Sequence, residues 1–358
     1  MSSSDPHSVR TAIYGATGYT GRLVARHAVT LGLQPTLAGR NEERVAKLAS
    51  VLNCPSLTFP IRSASQLSDC LRGFSTVLNC AGPFSQTARP MMEACIAAKA
   101  DYLDITGEID VIECAASLSD RAKQAGVALI PAVGFDVVPS DCLAAMLAQR
   151  LPGAQRLELA FTTLGGMSPG TTKTMIEALP SGGRARIDGV IRRVPTAWKT
   201  MEVPFRHGKL MAMSIPWGDV ASAYYSTGIP NIEVYTSVPP TQIARMRRMR
   251  FALPLLGIWP LKTLAMEWVE RNVKGPSDEV RATARSSLWG RVTDASGNSV
   301  SATIETLSGY HLTALTAVAA MQLAIARQVP RGFSTASQAF GREFILSFLD
   351  TDIQWAAE

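Results

Sequence analysis

Short apolar runs alternate with amphipathic segments along the first 142 residues of the chain. The predicted strands are Thr11–Tyr14, Pro35–Ala38, Thr76–Cys80, Tyr102–Ile105 and Val127–Ile130. The predicted helices are Gly18–Leu31, Asn41–Leu52, Arg89–Lys99 and Ile109–Gln124. Strand and helix alternate roughly every 25 residues, which is typical of a parallel sheet with helices on both faces. This pattern predicts an α/β fold.

The pattern changes after Asp141. The strands predicted beyond it are Arg156–Leu164, Glu233–Ser237, Val280–Val292 and Val300–Leu307, of which the last two form a hairpin. These signals predict a second, α+β domain with an antiparallel sheet over residues 143–308. The apolar segment Tyr310–Arg327 predicts a helix that is buried nearly all round and packs back on the first domain. The first domain is therefore expected to comprise residues 9–142, completed by C-terminal helices of residues 309–358.

A glycine-rich turn, Gly15-Ala-Thr-Gly18-Tyr-Thr-Gly21, joins the first predicted strand to the first predicted helix. Gly15 allows a tight turn, Gly18 lets a pyrophosphate approach the backbone, and Gly21 allows helix and strand to pack closely. The free N–H groups at the helix start favour phosphate oxygens. We therefore interpret the first domain as a Rossmann-type dinucleotide-binding domain, the alternative being a glycine-rich turn without a ligand. The expected cofactor contacts are Gly15, Thr17, Gly18, Tyr19, Thr20 and Gly21.

The second predicted strand leads into Gly39-Arg40-Asn41, where this fold holds the adenosine ribose. An NAD site usually carries an acidic residue here, and this strand end has none. Arg40 instead suits the 2′-phosphate of NADP, because a guanidinium donates charge-assisted hydrogen bonds to phosphate. We therefore predict NADP(H) as the cofactor, bound in part by Gly39, Arg40 and Asn41. The alternative for Arg40 is a solvated side chain, and Asn41 is also a predicted helix cap.

Composition narrows the class of protein. The 358 residues are 47% hydrophobic and 18% charged, which is ordinary for a globular protein and excludes collagen, coiled coil and disorder. The six cysteines and four histidines show no zinc spacing, so no metal site is predicted. Without a secretory signal we expect reduced thiols and a cytoplasmic protein. The absence of a G-x-S-x-G elbow and of nucleic-acid-binding motifs disfavours a hydrolase and a nucleic-acid partner.

The net charge of +6 arises entirely in the later part of the chain. Residues 1–150 carry 13 basic and 13 acidic residues, and the remainder carries 22 and 16. The arginine cluster, Arg245, Arg247, Arg248 and Arg250, directly precedes an apolar run over residues 251–261. Such a cluster suits an acidic acyl-carrier protein, a CoA phosphate or peripheral contact with an anionic membrane. The alternative is a solvated basic face beside a buried core helix or a dimer helix, and we expect a homodimer.

Four further segments, together with the glycine turn and Ala38–Asn41, point to a family. These segments are Asn79–Phe84, Asp104–Glu108, Gly134–Asp141 and Gly332–Thr335. In them the chain resembles the saccharopine dehydrogenase-like oxidoreductases, and most of all the short branch that includes bacterial trans-acting enoyl reductases. The resemblance implies an NADP-dependent oxidoreductase with a small-molecule substrate. It is strong over residues 10–142, weaker over 305–345 and faint between them.

Three of these segments follow predicted strands, so we expect them at the ligand crevice of the sheet. The expected cofactor contacts are Cys80, Ala81, Gly82, Pro83, Phe84, Thr106, Gly107, Phe135 and Asp136. Each segment also has a structural alternative: a plain strand-end turn at 79–84, a helix-capping turn at Thr106, and a domain-crossover turn stiffened by Pro139.

A reductase needs a proton donor as well as a hydride. Tyr310 and Lys173 are the candidate catalytic residues, with His311 beside them, and a structural role is the alternative for each. We predict an NADPH-dependent reductase of an activated C=C bond in an apolar, carrier- or CoA-linked substrate. The alternatives are an imine (C=N) reductase of saccharopine type and a non-catalytic nucleotide-binding or lipid-associated protein.

Overall fold

Two β-sheets organise the part of the chain that the structure, a computed structural model, describes: residues 10–61, 64–163, 166, 168–250 and 259–356. The first sheet has seven strands, all paired in parallel. They are β1 (Thr11–Tyr14), β2 (Thr36–Gly39), β3 (Ser56–Thr58), β4 (Thr76–Asn79), β5 (Asp101–Asp104), β6 (Ala128–Ile130) and β15 (Gly332–Phe333).

The strand order of this sheet is β15-β6-β5-β4-β1-β2-β3, so the order reverses between β1 and β4. Every residue of β1, β2, β4 and β5 is buried, as a parallel sheet between two helical layers requires. The predicted Rossmann-type sheet is therefore confirmed. Its ligand crevice lies at the carboxyl ends of β1 and β4, where the order reverses.

Helices cover both faces of the first sheet. They are α1 (Tyr19–Thr30), α2 (Glu42–Leu52), α3 (Ala64–Leu71), α4 (Phe84–Ala98), α5 (Ile109–Ser117), α6 (Ser119–Ala125) and α13 (Gly309–Ile325). Helix α7 (Val138–Arg150) packs instead on β7, β13 and β14 of the second sheet, and α14 (Ala336–Phe340) packs on α7. Helix α13 packs on α1 and contacts β4 and β5. Its residues Ala317, Val318 and Met321 are wholly buried in a core shared with Ile13 and Leu78. A late segment of the chain thus completes the core beneath the glycine turn.

The second sheet has nine strands, of which β8 and β9 branch from its main order, β10-β11-β12-β7-β13-β14-β16. They are β7 (Arg156–Thr163), β8 (Gly183–Ile187), β9 (Val190–Val194), β10 (Thr200–Phe205), β11 (Gly208–Ile215), β12 (Asn231–Ser237), β13 (Arg285–Thr293), β14 (Ser299–Leu307) and β16 (Asp352–Trp355). The accompanying helices are α8 (Pro169–Ala178), α9 (Asp219–Thr227), α10 (Pro240–Met249), α11 (Trp259–Asn272) and α12 (Asp278–Thr283).

The second sheet is mixed rather than purely antiparallel, because β7 and β12 pair in parallel. The connection between these two strands contains two helices and the strands β8 to β11, long enough for a parallel crossover. The C-terminal residues contribute to both sheets: β15 pairs with β6 of the first sheet and β16 with β14 of the second. The expected division into residues 9–142 with 309–358 and residues 143–308 remains a prediction.

Several predicted boundaries differ from the structure. Helix α4 begins at Phe84, before the predicted start at Arg89, because it is capped from a distant turn described below. The predicted helix Ile109–Gln124 divides at Leu118 into α5 and α6. The segment from Val280 starts as helix, since Ser277 caps α12, and the strand begins only at Arg285. The pattern predicts neither β3 nor α3, and residue 164 lies outside the described residues.

Candidate functional site

The glycine turn between β1 and α1 contacts the turn that follows β4. Gly15 has a φ of +78°, and a Cβ there would lie 2.8 Å from the backbone nitrogen of Ala81. A Cβ at Gly21 would overlap the carbonyl oxygen of Gly15. Both positions therefore require glycine, the first for its dihedral angle and the second for the close approach of helix and turn.

The start of α1 is open to an anion. Gly18 is exposed and precedes the helix without a side-chain cap, and the first turn contains no acidic residue. Among the described residues, a Cβ at Gly18 would meet the Gly15 carbonyl oxygen alone, at 3.2 Å. Thr17 and Thr20 flank this opening and are half-buried. Uncapped N–H groups beneath an open glycine fit a pyrophosphate.

Arg40 follows β2 and is exposed, whereas Gly39 before it is buried against Val45. Within the described residues, the Arg40 guanidinium makes no hydrogen bond or ion pair. Asn41 is used locally, because its side chain accepts a hydrogen bond of 2.9 Å from the Arg44 N–H and caps α2. Arg40 is thus open to a phosphate, while the Asn41 side chain serves the helix.

Asn79 shapes the turn after β4. Its Oδ1 accepts a hydrogen bond of 3.0 Å from the Ala81 N–H, and the Gly82–Pro83 peptide bond that follows is cis. Ala81 is half-buried and Gly82 is exposed, so this wall of the crevice has little side-chain volume. Cys80 is buried, and burial raises the pKa of its thiol, which stays protonated. Small residues therefore form the part of this turn that lies beside the glycine turn.

Glu108, which the sequence analysis does not single out as a site residue, joins two turns of the crevice. Its carboxylate accepts hydrogen bonds from the N–H groups of Phe84 at 2.9 Å and Ser85 at 2.8 Å, and so caps α4. Burial raises the pKa of Glu108 to about 7. The charge of Glu177 adds to this increase, and the two hydrogen bonds oppose it. Its partners lie 24 and 23 residues upstream, beyond the reach of local capping patterns.

Thr106 is buried in the turn after β5. Its N–H donates to Asp104 Oδ1 and its hydroxyl accepts from the Glu108 N–H, each at 3.0 Å. This favours the local-turn alternative for the Thr106 side chain. Gly107 is half-buried, and a Cβ there would lie 3.0 Å from Asp136 Oδ2. The structure therefore brings Gly107 and Asp136 together at the crevice.

Phe135 and Asp136 lie between the two sheets. The Phe135 N–H donates to the Thr313 hydroxyl of α13 at 3.0 Å, and its ring packs edge-on against Phe161 of β7. Trp217, ahead of α9, donates its indole N–H to the Asp136 carbonyl oxygen at 2.5 Å. An aromatic group from the second domain thus closes one side of the crevice.

Tyr310 ties α13 to α8. Its hydroxyl accepts a hydrogen bond of 2.5 Å from the Ser168 N–H and lies 3.0 Å from Thr171 Oγ1. Its ring packs edge-on against Tyr19, with 5.0 Å between the ring centroids. Lys173 is half-buried on the same helix α8. Tyr310 thus contacts the helix that carries Lys173, and its hydroxyl is engaged in holding that helix.

A segment of the second domain covers the glycine turn. The Tyr19 hydroxyl donates to the Pro276 carbonyl oxygen at 2.6 Å, and Arg281 Nη1 donates to that hydroxyl at 2.8 Å. A Cβ at Gly275 would lie 2.8 Å from the Tyr19 ring. Arg281, which also forms an ion pair with Asp278, therefore ties this segment to the start of α1. Sequence patterns do not indicate it, since 262 residues separate it from Tyr19.

The arginine cluster lies in and directly after α10. Arg245, Arg247 and Arg248 are exposed, and Arg247 Nε donates to the Ala197 carbonyl oxygen at 3.1 Å. Of the predicted apolar run 251–261, residues 251–258 lie outside the described residues. Helix α11 follows and exposes Leu264 and Trp268 on one face. None of the described helices combines the length and apolar character that crossing a membrane requires.

Comparison with known proteins finds a family match over the first part of the chain. A family model, the saccharopine dehydrogenase NADP binding domain, matches residues 11–130. A Mycobacterium tuberculosis protein named as a trans-acting enoyl reductase is 33% identical over 188 residues, 49% of this chain and 45% of that protein. An Arabidopsis thaliana protein named as a saccharopine dehydrogenase-like oxidoreductase is 36% identical over 146 residues, 36% of this chain and 32% of that protein. The matched region is thus less than half the length of these relatives.

The fold is similar to that of a saccharopine dehydrogenase (L-Glu forming) from Saccharomyces cerevisiae. The TM-score is 0.64 at 11% identity, over 98% of this chain and 100% of that one. The family match supports a nicotinamide dinucleotide cofactor and an NADP-dependent oxidoreductase. Residues 11–130 match the saccharopine dehydrogenase NADP binding domain, and the expected resemblance to the saccharopine dehydrogenase-like oxidoreductases is confirmed over this part of the chain.

Proposed function

We propose that the protein is an NADPH-dependent reductase of an activated C=C bond in an apolar, carrier- or CoA-linked substrate. The observation that carries this proposal is the meeting of three strand-end turns, at Gly15, Ala81 and Gly107, beside Trp217 of the second domain. It is supported by the relatives named as trans-acting enoyl reductases.

The residues of the crevice divide into those that bind the cofactor and those that shield the reaction. NADPH, when bound, supplies a hydride. The open start of α1 at Gly18 holds the pyrophosphate, and Arg40 holds the 2′-phosphate. Phe135 and Trp217 exclude water from the end of the crevice at which the nicotinamide ring binds. This exclusion strengthens polar interactions inside the crevice, and the apolar surface suits an acyl chain.

Imine reduction of saccharopine type is the second candidate. Its amino-acid substrates carry carboxylates, which need cations in the second domain. Several of those cations are already paired in the structure: Arg184 with Asp110, Arg186 with Glu113, Lys199 with Glu233, and Arg291 with Glu158. This pairing favours the C=C substrate.

The arginine cluster supplies the contact with the substrate's carrier in this proposal. Arg245 and Arg248 are exposed on α10, and an acidic acyl-carrier protein is the partner that complements their charge. The homodimer and the cytoplasmic location stay predictions.

The test is NADPH oxidation by the purified chain with a matched substrate panel. We expect turnover of trans-2-dodecenoyl-CoA and none of its saturated analogue dodecanoyl-CoA, since only the former has a bond to reduce. Turnover of a 2-oxo acid with an amine, but not of the enoyl substrate, would establish imine reduction instead. NADPH binding by calorimetry without turnover of either would identify a non-catalytic nucleotide-binding protein.

A further inference from the structure

The Asp136 side chain lies at the junction of the two sheets, facing the turn after β5. Its Oδ2 lies 3.0 Å from the position that a Gly107 Cβ would occupy, so the carboxyl group rests against the backbone at this turn. On the other side, the Trp217 indole N–H holds the Asp136 carbonyl oxygen at 2.5 Å. The residue is half-buried. Trp217 of the second domain binds the Asp136 backbone, while the Asp136 carboxyl group lies against Gly107 of the first domain.

The surroundings of this carboxyl group favour its neutral form. Within the described part of the chain it accepts no hydrogen bond and pairs with no cation. The titratable groups that face it are Asp219 of α9 and Tyr310 of α13. Burial raises the pKa of Asp136 to about 7. A carboxyl group with such a pKa both holds and releases a proton near neutral pH.

Asp219 lies behind Asp136, away from the solvent. It is wholly buried, and both of its carboxyl oxygens lack a hydrogen-bond partner among the described residues. A Cβ at Gly218 would lie 3.3 Å from the Gly107 carbonyl oxygen, which fixes the start of α9 against the same turn. Burial, assisted by the charge of Asp141, raises the pKa of Asp219 well above its usual value. Asp219 therefore offers no positive charge that would favour the ionised form of Asp136.

We propose that the Asp136 carboxyl group donates the proton in the reduction, an assignment that rests on the proposed function. The Oδ–H bond of Asp136 breaks and its proton passes to the α-carbon of the enoyl group, as the hydride adds to the β-carbon. The C=C bond is reduced to a single bond and NADPH is oxidised to NADP⁺. Asp136 is left as a carboxylate, which takes up a proton from water before the next cycle.

The first test is turnover of trans-2-dodecenoyl-CoA. Asp136→Asn keeps the shape of the side chain and the backbone contact with Trp217, so it should bind NADPH within about twofold of the wild type, while kcat falls about 10²–10⁴-fold. In the wild type, kcat/KM should fall as pH rises through about 7, because the acid form is required. This fall of kcat/KM with pH should be absent in Asp136→Asn. It should be intact in the control Asp120→Asn, which replaces an exposed acidic residue of α6.

The second test measures the ionisation of Asp136 without enzymatic turnover. An ionised Asp136 beside the nicotinamide favours the cationic ring of NADP⁺ over the neutral ring of NADPH. In calorimetric titrations, the affinity for NADP⁺ relative to NADPH should rise about three- to tenfold between about pH 5.5 and about pH 8.5. Asp136→Asn and Asp136→Ser should both abolish this change.

The outcomes distinguish a failure of the Asp136 assignment from a failure of the proposed reductase function. If the wild type turns over no enoyl substrate, the proposed function fails, and the affinity ratio still decides whether Asp136 titrates at the nicotinamide. A ratio that does not change with pH in the wild type overturns the assignment, as does wild-type turnover by Asp136→Asn. Loss of the pH limb in Asp219→Asn but not in Asp136→Asn would transfer the role to the buried carboxyl group.

Discussion

At the scale of single residues, the proposed preference for NADPH rests on Arg40. It is exposed after β2, and within the described residues its guanidinium has no other partner. Its neighbour Asn41 illustrates the opposite case, because the side chain that could reach a ribose instead accepts the Arg44 N–H and caps α2. A charge without an internal partner is free to bind a ligand, whereas a satisfied polar side chain is not.

Arg40→Asp should therefore weaken NADPH binding far more than NADH binding. The substitution removes a charge-assisted pair worth about 1.5–3 kcal/mol and adds repulsion of the 2′-phosphate, so we expect at least about a tenfold loss. Calorimetric titration of both cofactors measures it, with Arg26→Asp on the exposed side of α1 as the charge-matched control. An unchanged affinity for NADPH would contradict the 2′-phosphate assignment.

At the scale of elements, substitutions at two positions of the glycine turn should distinguish ligand binding from folding. Gly18→Val should keep the wild-type melting temperature and lose dinucleotide binding, because Gly18 is exposed and its side-chain space is where the phosphate approaches. Gly21→Ala should lower stability by about 1–3 kcal/mol as well, since its Cβ overlaps the Gly15 carbonyl oxygen. Thermal unfolding and calorimetry distinguish the two. Normal binding by Gly18→Val would mean that the dinucleotide lies elsewhere.

Elements with local signals are those that the sequence predicts well. The strand Thr11–Tyr14 has the predicted bounds, and α2 begins directly after its predicted cap, Asn41. Helix α4 is mispredicted because Glu108, which caps it, follows by more than 20 residues. The parallel pairing of β7 with β12 and the contact of Arg281 with Tyr19 are likewise decided by tertiary structure, which no local pattern encodes.

At the scale of the whole molecule, some of the basic side chains of the second domain are paired with buried acidic residues. Glu158 and Glu233 are buried there and pair with Arg291 and Lys199. The cations that remain exposed include Arg245 and Arg248 of α10. Exposed charges act on partners through a field that salt screens beyond about 8 Å at physiological ionic strength. Partner binding through α10 should therefore depend strongly on salt.

The double substitution Arg245→Gln/Arg248→Gln should weaken binding to a holo acyl-carrier protein and leave the affinity for NADPH unchanged. Binding is measured by surface plasmon resonance at low and high salt, and the wild-type affinity should fall steeply as salt increases. Arg192→Gln/Arg193→Gln removes the same charge from the exposed strand β9 and serves as the control. No wild-type binding at low salt would remove the carrier from the proposed function.

The hydrogen bond from the Trp217 indole to Asp136 has an optical consequence. If the nicotinamide ring binds beside Asp136, as in the proposed function, the Trp217 indole lies close to it. Indole emission overlaps the absorption of the reduced ring but not of the oxidised ring, so excitation energy would pass from Trp217 to NADPH and not to NADP⁺. The contact that joins the two domains would then make Trp217 a fluorescent reporter of the redox state of the cofactor.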